Sequence, residues 1–240
     1  MRIAFIDGSS GISGDMLLGA LLDAGLSLTV LKNELSKLPI NGQFELSIRQ
    51  IQRGGIYGIA IDTVCQENPA PRHLSDIITI IEHSSLEPEC KAQSLEIFTC
   101  IAEAEAVVHK TSIEKVHLHE VGAMDSIIDV VGCVAALHKL GVEKIYTSPI
   151  ALGGGTVECS HGVVPVPAPA TAELLKDYPV VHNPEISGEL CTPTGAAIVK
   201  ALSSGVRKNI PMLIRAVGYG AGSKQFDGIL DLLSVTIGDV

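Results

Sequence analysis

Hydrophobic positions along this chain fall into two kinds of block, one with a period of two and one that repeats every three or four residues. A period of two puts alternate side chains on one face of a strand, whereas the longer period gives a helix one apolar side. The stretches with the length and composition typical of strands are Arg2–Ile6, Phe44–Gln52, Tyr57–Val64, Ile145–Leu152, Leu213–Tyr219 and Leu230–Ile237.

The helical blocks carry recognisable start and stop residues. A first helix is predicted to begin after Ser13 or Asp15 and to end at Gly25, and Pro39 ends a second helix that passes through Leu31. Further helices are predicted at Leu74–Glu82, Pro88–His109, Ser126–Leu140, from Pro167 or Pro169 onward, and at Thr194–Leu202. The block Ser126–Leu140 is apolar on nearly all sides, which is typical of a buried helix.

This mixture of elements predicts an α+β fold with a mixed sheet and several packed helices. Two strands around the turn at Gly54-Gly55 form a hairpin, which we expect to lie in the sheet or in a small lobe. The polar, proline-containing segment 66–71 is typical of a linker, and Lys115–Val121 alternates as a short extended segment does. A length of 240 residues suffices for one substantial core or two small ones, and we expect a single domain over residues 1–240.

Composition and charge argue against several classes of protein. The net charge of -10 and the lack of a basic run argue against nucleic-acid binding. No uncharged apolar run reaches the roughly 18 residues of a membrane span, and no signal-peptide stretch follows the N-terminus. None of the 6 cysteines forms a C-x-x-C pair. A zinc ribbon and a disulfide framework are therefore not expected, and a reduced, cytoplasmic protein is.

The sharpest chemical cluster is HLHE, with two aspartates shortly after it. In an extended segment His117 and His119 project from the same face, and Glu120 follows them. Asp125 and Asp129 are four residues apart and share one helix face. Imidazoles with carboxylates suit nickel, zinc, iron or manganese. The alternative is a structural ion pair at Asp129 beside two ordinary loop histidines.

A second candidate is the strand-to-helix turn DGSSGISGDM, which runs from Asp7 to Met16. Small residues allow a ligand to approach the backbone, and a helix N-terminus favours anions. No lysine follows the glycines, so the turn is not a phosphate-binding Walker motif. Asp7 and Asp15 would repel a bare phosphate but would accept a cation that bridges to one. On sequence alone a tight turn with an aspartate cap is the favoured reading.

A third candidate follows the glycines at 153–155. His161 stands in a turn, where a histidine is either a ligand, an acid/base group or a merely exposed side chain. Cys159 and Cys191 are soft metal ligands if ionised, although a free cysteine is more commonly a small core residue. The segment Thr192–Gly195 is a polar helix start that would also bind an anion. No G-x-S-x-G serine-nucleophile motif is present.

These segments together resemble the LarC family, the nickel-insertion proteins of nickel-pincer nucleotide maturation. The matching stretches are DGSSGISGDM, RHLSDI, AEAEAVVH, HLHEVGAMDSIIDVVG, HGVVPVPAPATAELL, CTPTGAAIVKAL and GYGAG. The resemblance implies insertion of nickel into a pyridinium mononucleotide that carries two thiocarboxylate groups, with formation of a carbon–metal bond. It also implies a need for CTP with manganese or magnesium, and a product used by lactate racemase and similar enzymes.

The resemblance supplies motif positions, to which we assign roles. Nickel ligands are predicted at His117, His119 and Glu120. The carboxylates expected to hold a cation or to orient the histidines are Asp7, Asp15, Asp125 and Asp129. Ser9, Arg72 and His73 are expected to contact the nucleotide, with Arg72 paired to its phosphate. The base that removes the pyridinium proton is expected to be His161 or Glu120.

Two departures from the family's pattern shape the expected activity. Family members are commonly longer, with a C-terminal domain that carries the CTP site, so this chain is expected to be the N-terminal part. A histidine-rich tract that many relatives carry is replaced here by QENPAP at 66–71. The alternatives are a nickel-binding module that acts with a separate CTP-binding subunit, and a metal-dependent phosphohydrolase. Expected partners are the mononucleotide, that domain or subunit, indirectly a racemase-type enzyme, and a second copy of the chain.

Overall fold

Helices and a central sheet account for most of the chain. The computed structural model describes residues 1–40, 42–65, 72–119 and 121–240. In that part of the chain the helices are α1 (Gly14–Asp23), α2 (Leu28–Leu35), α3 (Leu74–Glu82), α4 (Pro88–His109), α5 (Met124–Lys139), α6 (Pro169–Leu174) and α7 (Pro193–Leu202). None of these helices is long and apolar enough to cross a membrane.

Thirteen strands lie in the described ranges. They are β1 (Arg2–Asp7), β2 (Phe44–Arg53), β3 (Ile56–Cys65), β4 (Lys144–Thr147), β5 (Ile150–Ala151), β6 (Gly153–Gly154), β7 (Thr156–Cys159), β8 (Gly162–Pro165), β9 (Val180–Val181), β10 (Gly188–Glu189), β11 (Ser203–Val206), β12 (Leu213–Ala221) and β13 (Leu233–Asp239).

The main sheet has seven strands in the order β11-β4-β1-β13-β12-β3-β2. Strands β11, β4 and β1 are mutually parallel, whereas β13 is antiparallel to both β1 and β12. This mixed sheet with its packed helices confirms the predicted α+β class. The β2–β3 hairpin around Gly54-Gly55 forms one edge of the sheet, joined to β12 through the pairs Gly220 with Ile59 and Ala221 with Ala60.

Helix α1 lies directly on strand β12, backbone against backbone. A side chain on Gly220 would overlap the carbonyl oxygen of Met16, and one on Gly218 would overlap that of Ala20. Only glycine allows two backbones to approach so closely, and protein interiors leave no slack for an added methyl group. The GYG sequence of β12 therefore sets how close α1 lies to the sheet and where the first turn of α1 begins.

The first turn of α1 also packs against helix α5, which is buried along most of its length. A side chain on Gly14 would lie 2.7 Å from the Cβ atom of Asp129. The Asp129 carboxylate accepts a hydrogen bond from the backbone N–H of Asp15, one of the donors that a helix start leaves without an intrahelical partner. The Ser13 side chain accepts another from Met16 at 3.4 Å. Asp129 thus acts as a capping group for a neighbouring helix.

That contact brings carboxylates together at low exposure to water. Burial raises the pKa of Asp129 well above its ordinary value, and the charges of Asp15 and Asp125 raise it further. Burial likewise raises the pKa of Asp15, against the lowering effect of hydrogen bonds from Ser13 and Met16. Desolvation and like charge both disfavour the ionised carboxylate, so this cluster opposes folding at neutral pH.

Most predicted elements are confirmed, α3 and α4 at both ends. The single strand predicted at Ile145–Leu152 is wrong, because Ser148-Pro149 separates β4 from β5 and proline has no N–H for a ladder. Among the described residues of the predicted extended segment 115–121, Leu118 forms an isolated bridge with Arg72 and the others lie in turns or irregular backbone. The predicted linker 66–71 lies outside the described residues.

Substitution of Gly220 tests the contact between α1 and β12. We expect Gly220→Ala to lower the free energy of unfolding by about 3 kcal/mol, because the new methyl group forces the two backbones apart. Gly222→Ala is the matched control, since its methyl group would meet Met16 at an ordinary 3.4 Å. Chemical denaturation of both variants provides the measurement, and equal stabilities would contradict the close contact.

Asp129→Asn tests the cost of the buried carboxylate. The pKa of Asp129 is higher in the folded state than in the unfolded state, so the folded state binds more protons between those two values. Stability from this group therefore falls as pH rises through that window and stays low above it. The asparagine variant keeps the acceptor oxygen, so we expect it to unfold less readily than the parent chain at pH 8.

The expected gain in stability should shrink as pH approaches the ordinary carboxyl range near about 4. Urea denaturation at a series of pH values measures the difference. A variant that is less stable than the parent at pH 8 would mean that a cation neutralises Asp129 in solution.

Candidate metal centre and adjoining cavities

Three histidines from separate elements meet at the surface. His109, His119 and His161 each offer a ring nitrogen, and the three ligand atoms lie within 4.8 Å of one another. The His161 ring centroid is 4.8 Å from that of His109 and 4.8 Å from that of His119. Nitrogens that bind one metal at about 2.0–2.1 Å are at most roughly 4.2 Å apart. A small rotation of these exposed side chains would therefore close the three rings on a metal ion.

Each of the three rings has a different support. His109 is the last residue of α4, which ends where Lys110 takes a left-handed conformation. His161 stands in the turn between β7 and β8, an antiparallel hairpin. Its ring nitrogen Nδ1 lies 3.3 Å from the Ser160 hydroxyl. His119 comes from the loop between α4 and α5, which the next contacts hold in place.

Arg72 and His73 hold the loop that carries His119. The carbonyl oxygen of Arg72 accepts a hydrogen bond from the Leu118 N–H at 2.8 Å, and the Arg72 guanidinium donates to the Gly122 carbonyl at 2.8 Å. Nδ1 of His73 lies 3.0 Å from the Val116 carbonyl oxygen. Both residues thus bind protein groups, and neither lines the cavities described below. Their predicted contact with a nucleotide stays a prediction.

His117 does not belong to the three-histidine group. Its ring packs on His73, with 4.1 Å between centroids, and its centroid is 6.0 Å from that of His119. The expected alternation does hold for the neighbours, because Val116 and Leu118 are buried. His117 and His119 are both exposed, and the 6.0 Å between their ring centroids is similar to the 6.2 Å between those of His109 and His119, so His117 stays a predicted ligand. Glu120, the third predicted ligand, lies outside the described residues.

Two residues were not predicted from sequence as part of this site: His109 as a ligand and Glu105 as its partner. Nε2 of His109 lies 3.4 Å from a carboxylate oxygen of Glu105, one helical turn earlier. A carboxylate beside one ring nitrogen orients the other nitrogen, a common arrangement around metal ligands. The motif AEAEAVVH contains both residues at a spacing of four, which was the available signal.

A cavity of about 400 Å³ opens beside the three histidines, and we call it the histidine cavity. Its walls are mainly aliphatic side chains and prolines from α4, α6 and the β7–β8 hairpin. The polar groups that face it, besides the histidines, are Glu105, Glu158, Cys159, Ser160, Glu189 and Lys224. A mostly apolar pocket with a few convergent polar groups is typical of a small-molecule site.

A second cavity of about 250 Å³ shares Glu189 and Lys224 with the first. Its wall contains the side chains of Ser10, Ser13, Thr192 and Ser223, so we call it the hydroxyl cavity. The starts of α1 and α7 adjoin there, because the Ile12 N–H donates to Leu190 at 2.9 Å and the Thr192 N–H donates to Ile12 at 3.0 Å.

The remaining predicted residues are dispersed. Asp15 lines the hydroxyl cavity, whereas Asp125 and Asp129 line neither cavity. Asp7 accepts a hydrogen bond from the Ser9 N–H at 3.1 Å, which closes a local turn. Metal binding by these aspartates and substrate contact by Ser9 therefore stay predictions.

The two cysteines considered as soft ligands differ in their surroundings. Burial strongly raises the pKa of the Cys191 thiol, so this side chain stays protonated inside the core. Cys159 faces the histidine cavity, where its thiol donates to the Gly162 carbonyl at 3.4 Å. Of these two cysteines, only Cys159 lines the histidine cavity.

Sequence comparison relates this chain to known proteins. A family model described as "Nickel insertion protein" matches residues 4–239. The chain is 47% identical over 240 residues to the pyridinium-3,5-bisthiocarboxylic acid mononucleotide nickel insertion protein of Desulfitobacterium hafniense, covering all of this chain and 59% of that protein. It is 44% identical over 249 residues to the protein of the same name from Geobacillus kaustophilus, with 100% and 60% covered.

The chain thus spans about three fifths of the length of these curated relatives. No solved structure matches it. The family match covers nearly every residue, including the segments that carry all three histidines and both cavities. The chain belongs to the nickel-insertion protein family.

Proposed function

We propose that this chain binds nickel at His109, His119 and His161 and inserts it into a pyridinium mononucleotide. The observation that supports this most directly is the meeting of three imidazoles at the mouth of the histidine cavity. Neutral imidazole is a good ligand for nickel as well as for zinc, copper and iron. The family match and the names of the relatives favour nickel among these metals.

The histidine cavity suits the reacting ring of such a substrate. A pyridinium ring has apolar faces, which the aliphatic walls can cover, while its two thiocarboxylate groups would meet nickel held at the rim. Formation of a carbon–nickel bond releases a proton from the ring carbon, so a base must accept it. A nitrogen of His161 that binds metal cannot take that proton at the same time. Glu120 therefore remains the predicted base, and Glu105 lies beside the same metal group.

The proposed enzyme class is a nickel chelatase of the lyase type. The requirement for CTP with manganese or magnesium is proposed to reside in the part of the relatives that this chain does not cover. That part would act as a covalently attached domain or as a separate subunit, and the finished cofactor would pass to a racemase-type enzyme. Homo-oligomer formation and a cytoplasmic location are further proposals.

A second candidate function is a nickel-binding module without insertion activity of its own. All three rings of the metal group are exposed to solvent, which favours ready exchange of the ion with a partner. Single-turnover nickel insertion by this chain, with and without the remainder of a full-length relative supplied in trans, separates the two functions. Product formation by the chain alone would exclude the module, whereas a strict need for the added part supports it.

Alanine substitution of the three histidines tests the metal centre. We expect His109→Ala, His119→Ala and His161→Ala each to weaken nickel binding at least tenfold, because each removes one of three ligands. Calorimetric titration with nickel ions gives the dissociation constants. Binding should also weaken below about pH 6, where imidazoles take up protons.

Exposed His182 supplies the matched control, since it lies outside the group. His182→Ala should bind nickel as the parent chain does. His117→Ala plus Glu120→Gln tests the other predicted ligands in the same titration. Retention of full affinity by all three single variants of the group, with loss in this double variant, would move the site to His117 and Glu120.

A further inference from the structure

The histidine cavity and the hydroxyl cavity adjoin each other, since Glu189 and Lys224 line both, and we call the two together the trough. The volume of the histidine cavity, about 400 Å³, lies within the range of roughly 300–1,000 Å³ for small-molecule sites, and that of the hydroxyl cavity, about 250 Å³, lies just below it. A ligand held at the histidines by one end would therefore extend past Lys224 into the hydroxyl cavity.

Lys224 is the one permanent cation among the described residues that line this trough. The acidic side chains there are Glu105, Glu158, Glu189, Asp15 and Asp231. Such a lining repels an anion unless a positive charge meets it at the point of entry. Lys224 is exposed, and the ion pairs recorded within the described ranges do not include it. Its ammonium group is therefore available to an anionic ligand.

Asp231 is a buried side chain in which one carboxylate oxygen lacks a hydrogen-bond partner. The residue is 3% exposed, and its Oδ2 atom has no hydrogen-bond partner among the described residues. Nε of Arg53 is 4.0 Å away, close enough to balance charge but too far for a hydrogen bond. Asp231 lines the hydroxyl cavity, although its Oδ2 atom is shielded from solvent and the Arg53 Nε atom beside it also lacks a hydrogen-bond partner among the described residues. Buried polar atoms are nearly always satisfied, so a ligand hydroxyl in this cavity would supply the donor that Oδ2 lacks after a small movement of the side chain.

The backbone at Asp231 supports a special role for this position. Its φ angle of 48° is in the left-handed region, where residues other than glycine are uncommon. Burial raises the pKa of Asp231 to about 6, against the lowering effect of Arg53. The side chain is therefore largely ionised at neutral pH and acts as an acceptor for hydroxyl donors.

We propose that the hydroxyl cavity binds the ribose phosphate part of the mononucleotide, with Asp231 accepting a ribose hydroxyl and Lys224 pairing with the phosphate. This inference rests on the proposed function, which places the pyridinium ring in the histidine cavity. The hydroxyls of Ser10 and Ser223 supply further donors for phosphate oxygens. A carboxylate that binds ribose hydroxyls beside a site for phosphate is a recurrent arrangement in nucleotide-binding proteins.

Binding of a simple pyridinium nucleotide tests this inference separately from nickel. The probes are nicotinic acid mononucleotide, which has the ring, the ribose and the phosphate, and ribose 5-phosphate, which lacks the ring. Calorimetry compares the 240-residue chain with Lys224→Gln, Lys224→Arg and Asp231→Asn. Lys208→Gln is the matched control, because Lys208 is an exposed lysine outside both cavities.

We expect Lys224→Gln to weaken both probes at least tenfold and to flatten the salt dependence of binding, while Lys224→Arg stays within threefold of the parent. Asp231→Asn should weaken both probes about fivefold but leave binding of inorganic phosphate unchanged, because only the ribose contact is altered. Asparagine tolerates the left-handed backbone, and a thermal melt of the variant verifies its fold. Lys224→Gln changes an exposed side chain and decides the question if Asp231→Asn does not fold.

Nickel titration of the same variants keeps the two proposals apart. Lys224→Gln should bind nickel normally, since it leaves the three histidines in place. Nickel binding at the histidines without any binding of either probe would overturn this inference and leave the metal site standing. Equal probe affinities for Lys224→Gln and the parent chain would overturn it as well. Probe binding that needs Lys224 in a chain that binds no nickel would support it and overturn the proposed function.

Discussion

The close backbone contact between α1 and β12 is the constraint on which the arrangement of the candidate site depends. Gly218 and Gly220 let the helix settle on the strand, and this fixes the first turn of α1 beside the loop that follows β12. That loop carries Lys224 and leads to Asp231, while α1 begins at Gly14, directly after its capping residue Ser13. One wall of the trough therefore comes from a helix and a strand that two glycines bring together.

The three-histidine group depends on a different kind of support. Its histidines come from a helix end, a hairpin turn and a loop, and only the loop lacks regular structure of its own. Arg72 holds this loop in place through one backbone hydrogen bond and one hydrogen bond from its guanidinium group. Three ligands on separate elements form a site only when all three elements are in place, so nickel binding should report on the folding of this region.

Carboxylates near the trough illustrate how function opposes stability. Asp129 caps α1, yet its pKa is raised by burial and by the charges of Asp15 and Asp125. Asp231, which lines the hydroxyl cavity, has one buried oxygen without a hydrogen-bond partner among the described residues. Such groups cost folding free energy in the protein without ligand, and the proposed ligand would recover part of the cost of Asp231 by supplying a hydroxyl donor.

Sequence alone determined the local elements, because hydrophobic period and capping residues act over a few positions: α3, α4 and the buried face of α5 follow from them. The LarC-like motifs also identified the family and marked the segments that hold His119 and His161. Tertiary structure alone decided that His109 joins these two while His117 packs on His73, since ligand sets form between elements far apart in the chain. The unpartnered oxygen of Asp231 was likewise not predictable from sequence, because burial depends on what the rest of the chain places around this residue.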